Sequence, residues 1–141
     1  MWARPNVWHY WRNNVVKALK STEGRLALVV EAAGHRLLAD VPSDQGGDGL
    51  GPDPHDFFDA ALAACTAMTV LMVAQRKGMP LDDVQVQISR DEDAEHYRMT
   101  RQLRLVGDLD AEQRSYLLGI ANKCPIHRVL HKAISVETES M

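Results

Sequence analysis

Two residues of this 141-residue chain carry thiols, Cys65 and Cys124. A cysteine can be an inert small hydrophobe, half of a disulfide, a metal ligand or a nucleophile. The thiolate is the reactive form, so the surroundings of each sulfur decide among these. Cys124 stands directly before Pro125. Proline suits the first position of a helix, which makes Cys124 the expected N-cap of a short helix over residues 125–130. There the free N–H groups and the positive end of the helix dipole favour an anion, and His127 and Arg128 follow with further positive charge. This context leaves Cys124 open between a reactive and an inert thiol. Cys65 lies about three turns into an apolar helix, beyond the reach of that helix's N-terminal dipole, and by itself reads as a buried small hydrophobe. A metal site made from Cys65, Cys124 and His127 lacks any CxxC motif or close His/Cys spacing, so no metal is expected.

The elements that position these thiols follow from punctuation and periodicity. Residues 14–41 alternate imperfectly, with Leu26, Leu28 and Val30 in one register and Gly24 and Gly34 as breaks, which predicts two or three strands in hairpins. Residues 42–52 hold four glycines and two prolines and read as a loop. Asp53 is a good N-cap, Pro54 a good first helical residue, and Asp56 adds negative charge to the first turn. The helix should run from Phe57 to Lys77, stopped by Gly78. Phe57, Ala61, Ala64, Cys65, Met68 and Met72 share one of its faces, and most other positions are also apolar, which predicts a long buried helix. Residues 84–89 and 99–106 alternate as paired strands, with the acidic residues 91–93 as a solvated turn. Asp110 with Gln113 forms an expected capping box for a helix ending near Lys123. A closing strand is expected over 134–138. Strands, helix, hairpin, helix and strand in this order predict an α+β fold.

Composition sets the outer limits. The length suits a single domain over residues 1–141, and 45% hydrophobic with 25% charged residues is ordinary for a globular chain. A formal charge of −3 gives no electrostatic footprint for nucleic acid or for an anionic membrane surface. The apolar run 60–74 is short for a bilayer span and is expected to be a core helix rather than a membrane segment. No apolar run of a secretory signal follows Met1, so the expected location is cytoplasmic. Residues 1–13 form an aromatic N-terminal arm holding Trp2, Trp8, Trp11 and Tyr10, expected to pack on its own domain or on a partner subunit.

Three segments together carry more information than their spacing. A glycine-rich loop leads into Gly51-Pro52-Asp53-Pro54-His55-Asp56. Then Ala60-Ala61-Leu62-Ala63-Ala64-Cys65 lies on a long helix, and Ala121-Asn122-Lys123-Cys124-Pro125 ends another. Over roughly residues 15–138 the chain resembles the OsmC/Ohr family of osmotically inducible and organic hydroperoxide resistance proteins, on its OsmC-like side. The resemblance implies an intertwined α+β homodimer with antiparallel sheets and buried central helices. It also implies a peroxiredoxin-type thiol peroxidase, an organic hydroperoxide reductase active in the antioxidant response. Cys65 would attack an organic hydroperoxide, or hydrogen peroxide, and become a sulfenic acid. Cys124 would condense with it to a disulfide, and a dithiol reductant of lipoyl type would restore the pair without any bound cofactor. An arginine activates the first cysteine in such proteins, and Arg25, by spacing back from Gly34, is the match. A glutamate normally holds that arginine, but here its position is His55, followed by Asp56. Histidine near its ordinary pKa of about 6.5 is not a dependable anion. That departure favours the rival expectation of a non-catalytic member of the fold, either a thiol redox sensor or a small apolar-ligand-binding protein.

Overall fold

A computed structural model describes residues 15–141; the expected aromatic arm lies outside the described residues. The chain divides into two compact units, the first ending at Phe57 and the second beginning at Phe58.

In the first unit, β1 (Val16–Lys20), β2 (Leu28–Ala32) and β3 (His35–Ala39) form an antiparallel sheet in the order β1-β2-β3. The expected hairpins are therefore present, with Val30 facing Ala18 on one side and Leu37 on the other. Ala33 and Gly34 make the β2–β3 turn with φ of 50° and 82°, the left-handed backbone that tight hairpins need. The glycine-rich loop contains a single 3-10 turn, Ser43–Gln45, and folds around Asp40. The Asp40 carboxylate is only 4% exposed and accepts from the N–H groups of Val41, Asp48 and Leu50. The Leu50 N–H, then those of Val41 and Asp48 and the charge of Arg25, hold the Asp40 carboxyl below its ordinary pKa, against the opposing effect of burial. At Gly47 a Cβ atom would stand 1.9 Å from the Val41 carbonyl oxygen, so the loop can close this tightly only with glycine there.

Helix α1 (Pro54–Arg76) starts where its capping residues predict. Asp53 accepts from the Asp56 N–H at 2.9 Å, and Asp56 accepts from the Asp53 N–H at 3.2 Å, a reciprocal cap. In the second unit follow β4 (Leu81–Glu92), β5 (Tyr97–Gly107), α2 (Ala111–Ala121) and α3 (Pro125–Leu130). β4 and β5 are a two-stranded antiparallel ribbon, longer than the alternating segments alone suggest. Asp91 and Glu92 belong to β4 rather than to a turn. Arg98 reaches back to the Asp91 and Asp93 carboxylates at 2.8 Å, and the Asp93 side chain accepts from Glu95 and His96, which together shape the tip. The Asp110–Gln113 capping box is formed in both directions, at 2.8 and 3.0 Å.

The core of the second unit joins Val70 and Ala74 of α1, Val84 of β4, Leu105 of β5, Leu109, and Leu117, Ile120 and Ala121 of α2. Arg114 fixes α2 to the ribbon by donating to the Leu105 and Gly107 carbonyls, each at 2.9 Å. Two further expectations change. The buried stripe of α1 is Leu62, Thr66, Val70 and Ala74, spaced four residues apart, so burial is confined to one face of the helix within the single chain. Met68 is 62% and Met72 48% exposed. The expected face failed because a helix apolar all round gives no periodic contrast from which to choose a side. Residues 134–138 form no strand: they have no ladder partner, and Val136 is 87% exposed. Alternating residues without a neighbouring edge have nothing to satisfy their backbone in a sheet.

Candidate functional site: a cysteine pair and an arginine

The two thiols, far apart in sequence, are neighbours within the second unit. Cys65 is half-buried in mid-α1, and Cys124 is fully buried at the start of α3; both are free cysteines. The approach is made by the end of α2. Asn122 and Lys123 close its last turn by donating to the carbonyls of Gly119 and Ile120, and Pro125 then begins a new helix. Cys124 is the N-cap of α3, as its context predicts: its Sγ accepts from the His127 N–H at 3.2 Å. Burial pushes the Cys65 thiol up. The Ile126 N–H and the Thr69 hydroxyl oppose that shift, whereas the hydrogen bond and charge of Cys124 reinforce it. Thr69 also donates to the Cys65 carbonyl at 2.7 Å.

A third side chain, not singled out by the sequence, reaches the sequence neighbours of this pair, Thr66 and Asn122. Arg101 projects from β5, donating through Nη1 to the Thr66 hydroxyl at 3.0 Å and through Nη2 to Asn122 Oδ1 at 2.7 Å. Thr66 Oγ1 in turn lies 3.7 Å from Cys124 Sγ. Both Arg101 partners are neutral, and among the described residues no carboxylate pairs with it. Its charge is felt at the start of α3. Burial pushes the His127 imidazole down, and the positive charges of Arg101 and His131 push it further. In sequence Arg101 is one polar residue of an alternating strand, and nothing local marks it. Only the pairing of β5 with β4 and the placement of the α2 C-terminus turn it to the cysteines.

The remaining candidates belong to the first unit. Arg25 binds the Asp48 carboxylate through its backbone N–H at 2.7 Å and its Nε at 3.0 Å, and its Nη2 donates to the Gly47 carbonyl. His55 Nδ1 lies 4.0 Å from Asp53, and Asp56 takes part in the reciprocal cap of α1. Among the described residues no three of His, Cys, Asp or Glu converge as metal ligands.

An open cavity of about 510 Å³ is lined by Phe58, Leu62, Tyr97, Met99, His127, Leu130, His131 and Ile134. Leu62 is one helical turn before Cys65, and His127 is the residue whose N–H caps Cys124. The Asp59 carboxylate anchors the neighbouring wall, accepting from Tyr97 Oη and Arg90 Nη1, each at 2.7 Å. Chemically, the unit offers two adjacent thiols, a guanidinium that meets no carboxylate among the described residues, and a recess lined by both apolar and polar side chains.

Comparison with known proteins agrees with this architecture. The sequence model of the family described as OsmC-like protein matches residues 46–139. No curated protein matches by sequence. Among solved structures, an osmotic stress induced and detoxification response protein from Psychrobacter arcticus is similar at TM-score 0.68 and 17% identity, over 81% of this chain and 85% of that one. An OsmC-like protein from Mycoplasma pneumoniae is similar at TM-score 0.69 and 13% identity, over 83% and 86%. The organic hydroperoxide resistance protein OhrB of Bacillus subtilis is similar at TM-score 0.55 and 20% identity, over 82% and 89%. At these identities the structural likenesses establish the fold alone. With the family match covering most of the chain and both cysteines, the protein belongs to the OsmC-like family.

Proposed function

We propose that this protein is a thiol peroxidase for organic hydroperoxides, with Cys65 as the peroxidatic and Cys124 as the resolving thiol. The observation that carries this reading is the juxtaposition of Cys65 and Cys124, close enough for the hydrogen bond and charge of Cys124 to act on the Cys65 thiol. The Cys65 thiolate attacks one peroxide oxygen, the O–O bond breaks, and the alcohol leaves. The resulting sulfenic acid condenses with the Cys124 thiol, releasing water and forming a disulfide, which a dithiol then reduces. The Phe58, Leu62, Met99, Leu130 and Ile134 side chains of the recess suit an organic substituent better than hydrogen peroxide. Arg25 is assigned as the cation that activates Cys65, with His55 and Asp56 at the place of the family glutamate. The exposed Met68, Leu71 and Met72 on α1 are assigned to a second copy of the chain in a homodimer. The cytoplasm, where thiols are kept reduced, is the assigned location.

The upward push on the Cys65 thiol favours a second reading, because it lowers the thiolate fraction at neutral pH. In that reading the pair is a slow redox sensor without turnover. One experiment separates the two. Reduced protein is treated with stoichiometric cumene hydroperoxide, or with hydrogen peroxide, and the Cys65–Cys124 disulfide is followed by mass spectrometry with Cys65→Ser as control. Rapid disulfide formation with sustained turnover on a dithiol supports the peroxidase, and Arg25→Gln should slow it. Disulfide formation without turnover supports the sensor. Thiols unchanged after an hour would sink both.

A further inference from the structure

We propose that Arg101 is a positioning residue for the reductive half of the cycle: acting through the Thr66 hydroxyl, it makes Cys124 the leaving sulfur, so that reductant attacks the disulfide at Cys65. The inference rests on the reading of Cys65 and Cys124 as a redox pair.

The Thr66 hydroxyl carries one proton. Arg101 Nη1 donates into the Thr66 oxygen at 3.0 Å, which leaves that hydroxyl's own proton to be placed elsewhere. Thr66 is fully buried, and Cys124 Sγ stands 3.7 Å away. When Cys124 carries no proton, as in a thiolate, Thr66 is necessarily the donor. The same sulfur accepts the His127 N–H. Two donors thus converge on Cys124 Sγ, one of them polarised by a guanidinium whose other partner is the neutral Asn122. Charge developing on that sulfur is stabilised where it appears, without any group having to move.

Access acts in the same direction. Cys124 is fully buried and Cys65 is half-buried, so an incoming thiolate meets Cys65 first. Reduction then runs as follows. The reductant thiolate attacks Cys65 Sγ, a bond forms between these sulfurs, and the Cys65–Cys124 bond breaks. The electron pair of that bond goes to Cys124 Sγ under the Thr66 and His127 donors. The second thiol of the reductant attacks the mixed disulfide, releasing Cys65 and the oxidised dithiol. Thiol–disulfide exchange is faster when the leaving thiolate is stabilised, so the relay sets both rate and direction.

The test forms the disulfide with diamide, so that it does not depend on peroxide chemistry. Reduction by excess dithiothreitol is timed in the parent, Arg101→Met, Arg101→Lys and Thr66→Val, with thermal melting confirming that each is folded. Thr66→Val keeps the shape of the buried side chain and removes only the hydroxyl. Reduction should slow by roughly tenfold in Arg101→Met and Thr66→Val, with part of the rate recovered in Arg101→Lys. In parallel, 2-mercaptoethanol adducts are quenched with acid and located by mass spectrometry. The parent should carry the adduct on Cys65, and the two relay variants should shift part of it to Cys124, which a merely structural role for Arg101 would not produce. Rates within twofold of the parent, a parent adduct on Cys124, or no disulfide with diamide would each overturn the proposal. Failure of cumene hydroperoxide to make a disulfide that diamide does make removes the peroxidase reading alone.

Discussion

Leu117 and Leu118 are adjacent on α2 and meet opposite environments, 0% and 47% exposed. Leu117 is inserted among Val70 and Ala74 of α1 and the ribbon residues Val84 and Leu105. Leu117→Ala removes three carbons from that site, a transfer loss of about 2.4 kcal/mol at roughly 0.8 kcal/mol per buried methylene. The cavity left behind adds to it, because α1, the ribbon and α2 meet there and none can close the space alone, giving about 3–5 kcal/mol in total. For a chain of this size, each kcal/mol lowers Tm by about 3–4 °C, so a fall of roughly 10–20 °C is expected. Leu118→Ala should change stability by no more than about 0.5 kcal/mol. The assay is urea unfolding followed by circular dichroism, with the slope compared between parent and variants to show that the unfolded states match. Equal losses in the two variants, or a loss under about 1 kcal/mol for Leu117→Ala, would refute the burial argument.

Alkylation should report the suppressed ionisation of Cys65. Because burial and the nearby Cys124 raise this thiol above its ordinary value, its iodoacetamide reactivity should rise only at pH above the free-cysteine midpoint of about 8.5. Cys124→Ser should move the profile to lower pH, and a parent midpoint at or below that of free cysteine refutes the assignment. Tyr97, pushed up to about 12 by burial and by Asp59, should ionise late in an ultraviolet titration read against Tyr97→Phe. Its folded value exceeds the unfolded one of about 10, so the stabilisation it provides is complete below about 10 and is lost as pH rises toward about 12. Asp59→Asn should bring the Tyr97 midpoint down.

Local chemistry made much of this structure legible. Asp53 and Pro54, Asp110 with Gln113, and Cys124 before Pro125 each mark a helix start, because a cap is decided within four residues. The placement of the cysteines side by side was not written locally; it came through family resemblance, and the contact depends on the turn at Asn122 and on the packing of α2. Arg101 was invisible for the same reason. A charged residue on an alternating strand normally faces water, and only the arrival of Thr66 and Asn122 from other elements gives it partners. The buried stripe of α1 and the absent strand at 134–138 were misread because each depends on which surface comes to meet it.

The loop over residues 42–52 has the composition of a linker, yet its backbone is committed. The N–H groups of Asp48 and Leu50 are bound to Asp40, that of Gly49 to the Val41 carbonyl, and that of Gly47 to the Pro42 carbonyl. A protease needs a run of extended chain with its amides free, and so does an inserted peptide that is to leave and re-enter the fold without disturbing it. The most glycine-rich stretch of the molecule is therefore one of its less suitable places for nicking, tagging or grafting.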